Sequence, residues 1–120
     1  MRGFRYDAAR APEPASWLAI DEQTRVELVL SFLTKTEQPT PLLRTRAALW
    51  AVVENQLAMA VPAVVETLAR LADEGLARSK ALALVARELL EHLQAVSAER
   101  ADDYAARLAR ITASDALAGR

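Results

Sequence analysis

Glu54, Asn55 and Gln56 stand together in a stretch that is otherwise apolar from Ala47 to Val65. A carboxylate beside two amides can bind a small ligand, or it can bond across a helix interface and fix packing register. Burial makes the choice matter, because an unpartnered buried polar group costs about 1–3 kcal/mol. Helical spacing puts Gln56 on one stripe with Val53, Leu57 and Ala60, and puts Glu54 on another side, near Trp50, Ala58 and Val61. Bonding to a neighbouring helix or loop is the primary expectation for all three. If the chain has a ligand-facing site, these three residues are where the sequence places it.

Few other residues offer chemistry. His92 is the single histidine, and Glu88 precedes it by four residues, the spacing of an ion pair on a helix surface. Catalysis by His92 would need a positioned partner and a nucleophile, and a Glu-x-x-His motif would need a carboxylate where Leu89 stands. Asp102 and Asp103 are adjacent, so on a helix they point about 100° apart and do not converge on one proton or metal. Their place in the first turn of a helix suits its dipole instead. There is no cysteine, and Gly3, Gly75 and Gly119 are too scattered for a phosphate-binding loop. No catalytic residue, metal site or cofactor is expected.

Residues 71–84 have the outline of a helix-turn-helix, with Gly75 in the turn. A recognition helix must present Arg, Lys, Asn or Gln to base edges. Here it reads Ser79-Lys80-Ala81-Leu82-Ala83-Leu84-Val85, with Arg78 and Lys80 the only basic side chains nearby, so a helical hairpin in the core is expected and DNA binding is not.

The 120 residues carry 15 basic against 16 acidic side chains and are 52% apolar. That balance suits one folded domain; it is too apolar for disorder and offers no cationic excess for phosphates. The apolar runs Ala47–Val53 and Leu57–Val65 fall short of the ~20 residues that cross a bilayer. With no apolar leader near Met1, the cytoplasm is the expected location.

The elements that must hold these residues follow from helical periodicity. Residues 1–15, with Pro12 and Pro14, read as an extended arm anchored by Phe4 and Tyr6, and Ser16 as the cap of a short turn. Asp21 caps a first long helix over about 22–35, apolar on two sides; a second spans about 42–60. A third starts at Pro62 and stops at Gly75, a fourth covers about 79–96 with a wide apolar face, and a fifth about 99–111. Residues 113–120 are expected to fray. The fold class is all-α: a compact bundle of about five helices over residues 16–112.

Trp17-Leu18-Ala19-Ile20-Asp21-Glu22, Val52-Val53-Glu54-Asn55-Gln56-Leu57-Ala58 and Glu74-Gly75-Leu76-Ala77-Arg78 together resemble a small bacterial helical family, a domain of unknown function. Its pattern runs W-L-A-x-D-E, then H-x-x-x-H-x-x-V-E-N-Q, then E-G-L-x-R-H-x-A-I-H-A, over about residues 6–93. Paired histidines four apart on two helices could share a metal. At those positions this chain has Arg46, Trp50, Ser79 and Ala83, none a usual ligand, so the resemblance implies a lost site with only Glu54 remaining.

The function expected is that of a non-enzymatic helical module that self-associates or docks a protein partner, since two helices have more apolar surface than a small bundle needs. The alternative is a small-molecule or metal site, altered from the family pattern, around Glu54.

Overall fold

The structure is a computed structural model and describes residues 5–119; Phe4, expected to help anchor the arm, lies outside them. Helix α1 spans Pro14–Ala19, α2 Glu22–Thr36, α3 Leu43–Ala58, α4 Pro62–Asp73, α5 Arg78–Ser97, α6 Tyr104–Arg110 and α7 Ala113–Gly119. The all-α class holds, with seven helices among the described residues rather than about five.

The two additional helices are short, and polar groups at their ends define them. Pro14 opens α1, where its missing N–H matters least. The cap is Glu13 rather than Ser16: its carboxylate accepts the N–H groups of Ala15 and Ser16 at 3.1 and 2.9 Å, and the Ser16 hydroxyl at 2.7 Å. The segment expected to fray is α7. Asp115 accepts the Thr112 N–H at 2.7 Å, Glu74 just after α4 accepts the Ala113 N–H at 2.7 Å, and Ala116 packs against the core.

The long helices start and stop largely as their sequences dictate. Asp21 caps α2 through the Thr24 N–H and hydroxyl, and Pro62 lies in the first turn of α4. Three helices end in the same left-handed turn. After α4, Gly75 has φ +93°, Leu76 donates to the Leu71 carbonyl and Gly75 to that of Ala72. Ala60 after α3 and Glu99 after α5 take the same conformation without being glycine. The expected fifth helix therefore begins later, at Tyr104, with Asp103 as its cap through the Ala106 N–H.

Helix α5 is central and packs against α3, α4, α6 and α7; α3 in turn carries α1 and α2 on its other side. The axes of α3 and α4 turn by 101° across residues 59–61, so α4 and α6 close a different flank from α1 and α2. Trp17, Leu33, Leu71, Leu82 and Leu108 are fully buried, each contributing about 1.5–3 kcal/mol by leaving water. The radius of gyration is 14.0 Å, near the ~13.6 Å of a compact chain this long.

The N-terminal arm lies along this core. Tyr6 and Ala8 are buried. The Tyr6 ring meets Phe32 edge-on at 5.6 Å and Trp17 at 5.6 Å, and Phe32 meets Trp50 at 6.3 Å. Such tilted aromatic pairs stabilise beyond their buried area. Arg70 ties α4 to the end of α6 by donating to the carbonyls of Leu108 and Ile111 at 2.9 and 2.8 Å, at a helix terminus where intrahelical N–H donors run out.

Candidate functional site

The polar triplet of α3 is distributed among three different neighbours. Glu54 is 1% exposed. Its two carboxylate oxygens accept from the Arg78 guanidinium at 2.8 and 2.9 Å, a bidentate pair, and the Tyr6 hydroxyl donates a short hydrogen bond to the same carboxylate. Tyr6 in turn accepts from the Trp50 indole N–H at 2.8 Å, and Arg78 also donates to the Ala8 carbonyl at 3.1 Å. Burial, with the Glu54 carboxylate beside it, pushes the Tyr6 phenol far above its ordinary pKa, so it remains a donor. Burial disfavours charge on Arg78, but the hydrogen bonds and charge of Glu54 outweigh that and raise its pKa.

Asn55 faces α1 and α2. Its side-chain oxygen accepts from the Trp17 indole at 2.8 Å and from Arg25 at 2.9 Å, while Arg25 also holds the Ile20 carbonyl at 2.7 Å. Gln56 accepts from the Tyr104 hydroxyl at 2.9 Å, which binds α3 to α6; burial raises the Tyr104 pKa to about 12. Glu54, Asn55 and Gln56 thus knit α3 to the arm, to α1 with α2, and to α6. The hollow that Glu54 borders measures only about 80 Å³, well below the ~300–1,000 Å³ of ligand clefts.

His92 pairs with Asp102 at 2.8 Å rather than with Glu88, and stacks on Tyr104 with ring centroids 5.4 Å apart. Arg107 takes Glu88 at 3.4 Å, together with Asp102 at 2.7 Å and Glu91 at 3.1 Å. The hydrogen bond from Arg107, then that from His92, hold Asp102 down at about 2. Asp102 therefore bonds side chains across α5 and α6, and only Asp103 takes the expected place at a helix terminus. Every buried side-chain nitrogen or oxygen among the described residues has a partner, and no cluster of three or more His, Asp or Glu there could hold a metal ion.

The hairpin of α4 and α5 buries Ala81, Leu82, Leu84 and Val85. Arg78 is committed to Glu54, so this second helix turns an apolar face inward and has no row of base-reading side chains.

A larger opening lies nearer the start of α3, beyond Trp50. It is a cleft of about 690 Å³ walled by the end of α2, the first half of α3, one face of α5 and α7. Phe32, Leu49, Trp50, Leu84 and Leu90 give it an apolar floor. Ser79, Ala83, Arg87 and Leu90 recur along α5 at intervals of three and four, the periodicity of one helix face. Arg46 bridges the rim by a bidentate ion pair with Glu37. Glu54 is absent from this lining and borders only the hollow of about 80 Å³, whereas Arg46, Trp50, Ser79 and Ala83 all border this cleft.

Three basic residues gain a place only from the structure. Arg78 stands in the sequence as a basic neighbour of the hairpin and the last residue of the Glu74-to-Arg78 motif, with nothing to mark it as the partner of Glu54. Lys80 and Arg87, seven apart and so on one side of α5, are legible as a cationic pair only once that side is known to border a cleft. No protein-family model, curated protein or solved structure matches this chain.

Proposed function

We propose that the protein is a non-enzymatic helical binding module of the cytoplasm whose working site is the cleft between α2, α3, α5 and α7. The observation that carries this reading is the cleft itself: about 690 Å³ over an apolar floor, within the size range of small-molecule sites. Support also comes from the polar side chains that invited chemistry. Glu54, Asn55, Gln56 and His92 are each engaged by other residues of the fold. The four positions where the resembled pattern has histidine lie around the same opening, which favours it over the hollow beside Glu54 as the place where such a family would bind.

Decanol, a neutral apolar probe, tests the reading. Saturable binding followed by tryptophan fluorescence is expected, because Trp50 borders the cleft. Ala83→Trp, which sets an indole across the cleft wall, should weaken binding while leaving the thermal midpoint in place. Absence of saturable binding to the wild-type protein would overturn the proposal. No single described helix is long and apolar enough to cross a membrane.

Self-association is the second reading, favoured by Leu93 and Val96. They lie one turn apart on the outer end of α5 and are 48% and 51% exposed.

A further inference from the structure

Six arginines are intermediate in burial: Arg25, Arg46, Arg70, Arg78, Arg87 and Arg107. Five of them are saturated with acceptors. Arg25 holds Asn55 and two carbonyls, Arg46 holds Glu37, Arg70 holds Glu74 and the end of α6, Arg78 holds Glu54, and Arg107 holds Asp102, Glu88 and Glu91. Arg87 alone has no acceptor among the described residues. It lines the cleft, as does Lys80, which likewise has no carboxylate partner there. The Arg87 nitrogens are open to solvent, so an anion entering the cleft can exchange that water for charge-assisted hydrogen bonds.

The cleft's own carboxylates do not pair with Arg87. Glu37 is taken up by Arg46 through both oxygens. Asp115 accepts the Thr112 N–H and hydroxyl at the start of α7 and keeps its charge, so two cations face one carboxylate in the lining. The remaining cations, Lys80 and Arg87, stand seven residues apart on α5, about 10 Å along its axis. Across from them the surface is apolar, from Phe32 on α2 and Leu49 on α3 to Leu84 and Leu90 on α5 itself.

We infer that the cleft takes a small amphiphile with an anionic head, such as a carboxylate on an apolar body, with the head at Arg87 and Lys80 beside it. The inference rests on the cleft being the working site and adds the charge and shape of what occupies it. A planar guanidinium suits a carboxylate because two parallel N–H donors meet its two oxygens. The apolar body then covers the floor that Phe32, Leu49, Leu84 and Leu90 leave open. A volume of about 690 Å³ lies within the range of sites for free small molecules.

Calorimetric titration of the full chain with decanoate and with decanol, at neutral pH and low salt, separates the two claims. Decanoate is expected to bind about tenfold more tightly than decanol, and added salt should narrow the margin. Arg87→Gln should narrow the margin, and Arg87→Gln with Lys80→Gln should remove it, because these two cations carry the preference for the anionic head; the thermal midpoint of each variant reports whether the fold is kept. If decanol binds and decanoate binds no better, or if Arg87→Gln leaves the margin intact, the anionic head is refuted and the cleft stands. If neither probe binds, both the inference and the reading beneath it fall.

Discussion

Glu54 and Arg78 form the residue-level contact on which most depends. Glu54→Gln keeps the size of the side chain and removes its charge, leaving a guanidinium that is only 19% exposed without a counter-charge. Removing one member of a buried pair is expensive, so a loss of about 3 kcal/mol in unfolding free energy is expected from urea denaturation at neutral pH. Replacing both partners by apolar residues, Glu54→Leu with Arg78→Met, should destabilise less than Glu54→Gln alone, since no charge is then stranded. A double variant as unstable as the single one would contradict this. The need of Glu54, Asn55 and Gln56 for partners is legible in the sequence, because three polar residues in an apolar helix must be satisfied. Which partners they find is not: Tyr6, Trp17, Arg25, Arg78 and Tyr104 come from distant parts of the chain. The same limit applies to His92, whose i−4 neighbour is local and visible, while Asp102 reaches it only after the chain has turned.

At the scale of the helix, stops marked by a special residue are legible and unmarked stops are not. Gly75 announces the end of α4, whereas Ala60 and Glu99 adopt the same left-handed turn at φ 57° and 61°. The apolar pattern accordingly carries the second expected helix past its true end at Ala58 and starts the last expected helix too early. A side chain in that conformation costs about 1–2 kcal/mol. Gly75→Ala should therefore lower stability by about 1 kcal/mol through the backbone alone, because nothing lies within 4 Å of the added methyl. Glu99→Gly should raise stability by up to about 1 kcal/mol. Opposite shifts in the denaturant midpoint are the expected outcome, and equal shifts of one sign would refute it. Helices α1 and α7 have six and seven residues, too short for periodicity to stand out and too short to persist without tertiary support.

Across the whole molecule, the fold class follows from helical stripes, but the cleft does not, because its walls come from four helices whose relative placement no local pattern encodes. Its sequence trace is limited to Lys80 and Arg87 on one side of α5. The expected apolar excess divides at this scale: α2 buries Val29 and Leu33, while Leu93 and Val96 on α5 remain about half exposed. If that end of α5 pairs two copies, light scattering at micromolar concentration should give twice the 13.1 kDa of one chain, and Leu93→Lys with Val96→Lys should return it to a monomer. A wild-type monomer would exclude self-association. The contact around Glu54 also has a direction in time. Its carboxylate is 24 residues ahead of Arg78, and the Ala8 carbonyl on the same guanidinium is 70 ahead. A chain still being synthesised, with Arg78 not yet made, holds a carboxylate in the middle of α3 with no cation to meet it. The first half therefore lacks the counter-charge for its most buried carboxylate until the chain has passed the turn at Gly75.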